Sequence, residues 1–347
     1  MYKFENLNQT LIGMCQELTR VGVPRDVRGF STVEIPHPVM IEISNPTDRY
    51  ITIPQRKWNK YLPWAESLWI ALGLNDVDEL PGKYCKGLHK YADNGKFWRA
   101  GYGPRIRSYT GLGTDICISN PLHRGVWSGF VRNIDQLEYV ILALKRDINT
   151  RQAIIEIGDP VKDDFTYTLN GAYEIKQTVD YPCTRSVQFM MVDGALNSTV
   201  YIRSNDILYG MSAVNITNFT LMQEYVANIM NVPVGKYYHV ANNLHMYDNQ
   251  RDAVNELAAM NVADYPSRHG RWTYPSRIPT LEKFDQLCLQ LYHAEKLIYN
   301  GECDEFIATG NDLFDDWTKV FLHHRTETSV PIPAFANPYL NDLFNVQ

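Results

Sequence analysis

The chain has 347 residues, 45% hydrophobic and 21% charged, which is enough apolar material for a large core and ordinary for a soluble globular protein. Its net charge of −6 argues against a protein that coats nucleic acid through bulk charge, so no direct nucleic-acid binding is expected. No stretch is long and apolar enough to span a bilayer, and no membrane partner is expected.

Six cysteines (Cys15, Cys85, Cys117, Cys183, Cys288 and Cys303) lie at wide, irregular spacings without a CxxC pair. That pattern argues against a zinc site and a disulfide framework, so a reducing compartment and no metal are expected. The opening MYKFENLNQTLIGMCQEL lacks a basic start followed by an apolar run. No signal peptide is therefore expected, and the expected location is the cytoplasm.

In chain order, Leu7, Leu11, Met14, Cys15 and Leu18 recur at helical spacing and predict an amphipathic helix over 4–19, ended by Gly22 and Pro24. A basic loop, Arg25 to Arg28, precedes strand-like alternation over Thr32–Ile43, a turn at Asn45-Pro46, and a short strand at Tyr50–Ile53. Residues 58–74 predict an apolar helix with Pro63 in its first turn and Glu66 inside it. A lone glutamate there lies on a solvent face or is held for use; the solvated face is the usual outcome. Residues 75–110 are glycine-punctuated loop, 134–146 an amphipathic helix, and Ala153–Ile157 a buried strand. Residues 187–203 read as a hairpin turning at Asp193-Gly194, followed by a helix over Ile216–Met230 and a strand over Tyr237–Asn242. Helical patterning fills Pro279–Tyr299 and Asp304–His324, and Thr328–Gln347 reads as a loose or docking tail. Strands dominate the middle and helices the ends, which predicts an α+β fold.

Polar residues in structured contexts concentrate in four places. They are Glu66; Tyr102-Gly103; the run YPCTRSVQ at 181–188; and RSND at 203–206 with Asn215, followed by His245 and Tyr247. Cys183 follows a proline and has Arg185 close by, and a guanidinium favours an ionised sulfur. Taken alone, a lone cysteine is more often a small buried hydrophobe. Arg203 and Ser204 form an anion-binding pair or an ordinary strand end, and His245 and Tyr247 share one face of an extended segment.

In combination these segments resemble the thymidylate synthase family, from roughly residue 28 to 250. WAESLWIALG (64–73) resembles the helix carrying the family's active-site glutamate. YADNG (91–95) with Tyr102-Gly103 resembles its WADENG…YG, and DINTRQAII (147–155) its DPDSRRII. Pro182-Cys183 resembles the nucleophile motif PCH, Gln188-Phe189 the family's QF, IRSND with Gly210 and AVNITNF its RSxD…G…FNIASY, and LHMYDN (244–249) its THLYSN.

The resemblance implies a thymidylate synthase-like fold: a large mixed β-sheet with flanking helices in a catalytic domain over 1–250, and a mainly helical C-terminal extension, 251–347, packed on the core. It implies a pyrimidine nucleoside monophosphate and 5,10-methylenetetrahydrofolate as substrates, and a homodimer in which Arg151 reaches the partner's site. Cys183, Glu66, Asn215 and Tyr102 would be catalytic. Arg203, Ser204, Asn215, His245, Tyr247, Gln188, Arg151 and either Arg28 or Arg25 would bind nucleotide. Asp206, Leu88, Tyr91 and Gly210 would face the folate. An amide at 215 suits uracil, whereas an aspartate suits cytosine.

Several positions depart from the family pattern. Gln152 replaces a second arginine, Thr184 stands where methylating members have histidine, and Leu88 and Tyr91 stand where they have two tryptophans. One residue more than the usual number separates Gly210 from Asn215. These departures, with CTRSVQ and RSND, are similar to the phage-type hydroxymethylase branch. The expected activity is hydroxymethylation of dUMP. The alternatives are methylation of dUMP, hydroxymethylation of a cytosine nucleotide, and a non-catalytic nucleotide binder.

Overall fold

The computed structural model describes residues 1–110, 127–128, 131–167, 171–326 and 331–346, with backbone alone at 127–128, 131–132 and 167. Cys117, and residues 328–330 and Gln347 of the expected tail, lie outside the described residues. Among the described residues the five remaining cysteines are free thiols.

A six-stranded mixed sheet forms the centre. Its order is Tyr2–Phe4, Val39–Ile43, Val234–Ala241, Ala195–Ile202, Thr184–Val192 and Ile154–Glu156. Two of its pairings are parallel and the rest antiparallel. The long hairpin at its middle closes as the sequence predicts, with Asp193 and Gly194 both in the left-handed region (φ 51° and 76°) that a two-residue turn between twisted strands requires. A second sheet of four strands, ordered Asn205–Asp206, Leu244–Tyr247, Phe30–Glu34 and Val23–Val27, lies beside it.

One face of the large sheet is covered by helices, among them Leu7–Val21, Gln136–Arg146 and Ile216–Met230, and the helix Leu62–Ala71 packs in turn on Ile216–Met230. Asn6 caps the first of these by accepting from the Gln9 amide at 3.0 Å. All ten residues of Leu62–Ala71 are buried, so that helix is apolar all round because it runs through the core. The opposite face of the sheet leaves Met40, Met190 and Tyr201 exposed.

Several local expectations are corrected. The basic loop at Arg25–Arg28 is mostly strand: Val23–Val27 pairs with Phe30–Glu34, and only Arg28-Gly29 turns, both at positive φ. The alternation over Thr32–Ile43 is two strands in different sheets, parted at Pro36 and Pro38, which cannot donate to a ladder. Tyr50–Ile53 is no strand; Tyr50, Ile51 and Ile53 are buried by packing alone. The tail contains a helix, Pro338–Phe344, whose Tyr339, Leu340 and Phe344 join the core.

The helices beyond residue 250 share the core with the rest. Trp317, on the helix Asp312–Thr326, donates its indole N–H to the Trp64 carbonyl at 3.0 Å, with ring centroids 5.4 Å apart. One contiguous cluster of buried side chains runs from Leu7 through Trp64 and Phe219 to Phe284, Trp317 and Phe344.

Candidate active site

The cleft is built where the two sheets meet. Cys183 sits at the bend just before the strand Thr184–Val192, partly buried. The loop that delivers it is tied down on both sides. On one side, Arg99 donates to Thr178 Oγ1 at 3.3 Å, and the Ala100 amide donates to Asp180 Oδ2 at 2.8 Å. On the other, Arg203 donates from Nε to the Pro182 carbonyl at 3.1 Å and from Nη2 to the Tyr181 carbonyl at 3.0 Å. The same Nη2 stands 3.7 Å from the Cys183 sulfur, and the guanidinium lies over the Tyr181 ring at 4.6 Å. Burial pushes the Cys183 thiol up; the cations Arg203 and Arg28 pull it back.

Tyr102 starts a short helix, Tyr102–Arg107, and its hydroxyl oxygen accepts from the Thr184 amide at 3.2 Å, next to the nucleophile. The Tyr102 phenol lies close enough to both Cys183 and Glu66 to feel their charge. Glu66 is 7% exposed. Burial raises its carboxyl from 4.5 to about 7, with Asn218 partly opposing the shift. Asn218 is itself oriented by Ser67, whose hydroxyl donates to its Oδ1 at 2.8 Å. The solvated-face reading of Glu66 is thus overturned: this carboxyl is held in the core at a pKa suited to proton transfer near neutrality.

The second sheet supplies the other wall. A cavity of about 300 Å³ is lined by Val27, Arg28, Phe30, Ser204, His245 and Tyr247, among others. Arg28 reaches it from the tip of the tight hairpin, at φ 50°. His245 and Tyr247 lie edge to face with centroids 5.4 Å apart, and His245 Nδ1 is 2.7 Å from Asn243 Oδ1. Burial lowers the His245 pKa against the pull of Asp206 and Glu34, favouring the neutral ring. Ser204 is a turn residue between the strand Ala195–Ile202 and the bridge Asn205–Asp206.

Asn215 ends a π-helical turn, Ile207–Asn215, that runs directly into the helix Ile216–Met230. A π turn holds one residue more than an α turn, which fits the extra residue between Gly210 and Asn215. Asp206 opens the turn by capping the Tyr209 amide, and its carboxyl is raised by burial. Gly210 has no room for a side chain: a Cβ there would stand 2.5 Å from Asn205 Nδ2.

Not every predicted residue meets at this cleft. Arg25 is exposed, 3.5 Å from Glu34 Oε2, on the hairpin arm behind Arg28. Gln188 and Arg151 lie together at the uncovered sheet face, with Gln188 Nε2 donating to the Arg151 carbonyl at 3.0 Å. Leu88 and Tyr91 bracket a 3₁₀ turn; Leu88 packs partly on the core and Tyr91 is half exposed. Tyr91 is close enough for its charge to be felt at Tyr247. Thr184 is fully buried, and its hydroxyl has no partner among the described residues. Sequence reading missed Asn218, the neighbour of Glu66, and His239, whose place on the inward face of Val234–Ala241 was legible only as alternation. Among the described residues no group of three or more His, Cys, Asp or Glu is arranged to hold a metal, and no helix is long and apolar enough to cross a membrane.

A thiol beside a guanidinium and a buried carboxyl poised near neutrality, next to a polar cavity, are groups of the kind an enzyme active site uses. Comparison with known proteins gives this class a family. A family model described as thymidylate synthase matches residues 10–299. The deoxyuridylate hydroxymethyltransferase of Bacillus phage SP01 is 32% identical over 290 residues, 83% of this chain and 68% of that protein. That of Pseudomonas phage M6 is 30% identical over 257 residues, covering 74% and 64%, and that of Delftia phage PhiW-14 is 26% identical over 230 residues, covering 66% and 57%. This chain therefore spans about two thirds or less of the length of these relatives. The chain belongs to the thymidylate synthase family, whose members are one-carbon transferases using methylenetetrahydrofolate.

Proposed function

We propose that this protein is a folate-dependent hydroxymethylase of a pyrimidine nucleoside monophosphate, with dUMP as substrate. The observation that carries the reading is the convergence of Cys183, Arg203, Tyr102 and Glu66 on one cleft beside the cavity lined by Arg28, Ser204, His245 and Tyr247. The relatives named deoxyuridylate hydroxymethyltransferase point the same way.

In this reading Arg28, Arg203 and Ser204 hold the 5′-phosphate, and His245 and Tyr247 meet the sugar hydroxyl. The Cys183 thiolate adds to C6 of the ring, and the electron pair of the C5–C6 double bond becomes available at C5. C5 forms a bond to the methylene carbon of methylenetetrahydrofolate as one of that carbon's two bonds to folate nitrogen breaks. Glu66 manages the C5 proton, and its loss expels tetrahydrofolate by breaking the second carbon–nitrogen bond, leaving an exocyclic methylene. Water adds to the methylene as Cys183 departs from C6. The balance is dUMP, methylenetetrahydrofolate and water in, and 5-hydroxymethyl-dUMP and tetrahydrofolate out, with no net oxidation. Asp206, Gly210, Leu88 and Tyr91 border the folate side. The buried, unpartnered Thr184 hydroxyl supports a polar reactant next to the nucleophile.

The same reading makes the protein a homodimer through the uncovered sheet face. Met40, Met190 and Tyr201 are exposed there, and Arg151 lies beside Gln188, outside the cavity of its own chain. In a two-fold pairing Arg151 would reach the partner's phosphate site. Residues 1–250 then form the catalytic part and 251–347 a helical extension that supports it.

The test is incubation with methylenetetrahydrofolate and each of dUMP, dCMP, UMP and CMP, followed by product masses and folate oxidation state. Tetrahydrofolate with 5-hydroxymethyl-dUMP is expected. Dihydrofolate with dTMP would assign methylation instead, and a hydroxymethylated cytosine nucleotide would move the substrate. No turnover, with Cys183→Ala indistinguishable from the native protein, would leave a binding protein only.

A further inference from the structure

Behind Asn215 runs a chain of buried polar groups that the catalytic reading does not use. Asn205 Nδ2 donates to Asn215 Oδ1 at 2.9 Å, His239 Nε2 is 2.8 Å from Asn205 Oδ1, and Tyr237 Oη is 3.0 Å from His239 Nδ1. Tyr237 and His239 are fully buried, and Asn205 is 3% exposed. Four side chains thus connect the inner face of the strand Val234–Ala241 to the amide at the cleft.

Such a chain has two self-consistent directions, because reversing the imidazole tautomer and flipping both amides reverses every bond. Tyr237 decides between them. Among the described residues its hydroxyl has one partner, His239 Nδ1. If that nitrogen carried the proton, the phenol could only accept, and its own proton would be buried with nowhere to go, a costly arrangement. The phenol therefore donates to Nδ1, the imidazole proton sits on Nε2 and goes to Asn205 Oδ1, and Asn205 donates to Asn215 Oδ1. Burial pushes the His239 pKa down to about 3, so the ring stays neutral and the chain is not disrupted by a second imidazole proton. Gly210 preserves the junction, since any side chain there would strike Asn205 Nδ2.

The consequence falls on Asn215. Its oxygen is engaged from behind, and its amide nitrogen has no partner among the described residues. We propose that Tyr237, His239 and Asn205 are positioning residues that fix the direction of the Asn215 amide, presenting its N–H donor to the base and so selecting a ring carbonyl over a ring amino group. This inference rests on the reading of Asn215 as the base contact. It adds that uracil preference is written two layers behind the amide, in a phenol that never touches substrate.

The experiment uses the full chain and measures binding of dUMP and dCMP by calorimetry, with kcat and KM for each. The native protein prefers dUMP. Asn205→Asp replaces the donor with an acceptor, so Asn215 must turn its nitrogen inward and its oxygen to the base. The dCMP to dUMP affinity ratio then rises by about tenfold or more. Tyr237→Phe removes the phenol that fixes the direction and moves the ratio toward unity, through KM rather than kcat. Independently, ¹⁵N–¹H correlations on the native protein show His239 as the Nε2–H tautomer, a readout needing neither substrate nor a stable variant. A folded Asn205→Asp and a folded Tyr237→Phe that both keep the native ratio, while Asn215→Asp shifts it, overturn the relay and leave the base contact standing. An unshifted ratio in Asn215→Asp, or a native protein that binds neither nucleotide, removes the base contact and the relay's role with it. An Nδ1–H tautomer overturns the proposal by itself.

Discussion

Arg203 and Cys183 are joined twice: the Arg203 amide donates to the Cys183 carbonyl at 2.9 Å, and the guanidinium stands 3.7 Å from the sulfur. The same side chain grips the two carbonyls before the cysteine. One residue thus shapes the loop that presents the thiol and supplies the charge that favours its ionisation. Replacing it with Gln keeps some hydrogen bonding and removes the charge. Burial then raises the Cys183 thiol unopposed by that cation. Iodoacetamide alkylation rates should titrate at higher pH in Arg203→Gln than in the native protein, and kcat/KM should fall by roughly a hundredfold or more. An alkylation midpoint that does not move would show that the guanidinium has no hold on the sulfur.

Glu66 carries the opposite signature, a group whose placement costs stability. Its carboxyl rises from 4.5 to about 7 on folding, with burial the main cause. A raised carboxyl binds its proton more tightly in the folded state. Its contribution is fully present below about 4.5 and is lost as pH rises through about 7, an effect on the order of 3 kcal/mol. Glu66→Gln, neutral at every pH, should therefore melt higher than the native protein at pH 8 and by a smaller margin at pH 5. Its kcat should drop by roughly 10²–10⁴, with the limb near pH 7 gone from the rate profile. Equal melting temperatures at pH 8 would argue that the carboxylate is not desolvated in the folded protein.

Arg28 separates fold from function in another way. It occupies the left-handed region at φ 50°, where an L side chain is disfavoured by about 1 kcal/mol. Arg28→Gly should leave the hairpin intact and stability equal or slightly higher. Loss of a charge-assisted contact to phosphate should raise KM for the nucleotide by about ten- to a hundredfold. Affinity for the corresponding nucleoside, which lacks the phosphate, should stay as it was. A parallel loss for nucleoside and nucleotide would place Arg28 away from the phosphate.

These three side chains mark where the sequence was readable and where it was not. The large sheet's central hairpin, the helix Ile216–Met230 and the order of the chemical segments follow from local signals: the Asp193-Gly194 turn, apolar periodicity and motif spacing. What escaped depends on neighbours distant in the chain. Tyr50–Ile53 has strand-like side chains but no ladder to join, and the basic stretch before Arg28 became a strand because Phe30–Glu34 lay ready to pair with it. The surplus residue before Asn215 looked like a gap in the motif, and a π turn fits it because an i→i+5 ring holds one residue more than an α turn. The direction of the Asn215 amide is set by Tyr237, a buried phenol whose meaning lies in having a single partner.

Trp317 tests whether the helices after residue 250 are an appendage or part of the catalytic framework. It is completely buried, stacks near Phe314, meets Trp64 edge to face, and donates to the Trp64 carbonyl two residues before Glu66. Removing the indole leaves a cavity beneath the glutamate helix and takes away the second hydrogen bond to the Trp64 carbonyl, which keeps its bond within the helix. Trp317→Ala should lose roughly 3–5 kcal/mol, measured by urea denaturation. Because the buried cluster is continuous from Leu7 to Phe344, the loss should appear as a shift of one cooperative transition followed alike by far-ultraviolet dichroism and by Cys183 alkylation. Trp317→Phe, which keeps an aromatic ring but not the N–H, should recover most of the stability and leave a smaller defect in kcat. Two separate transitions, with alkylation of Cys183 tracking the more stable one unchanged by the mutation, would show that the C-terminal helices fold apart from the site and do nothing to hold Glu66.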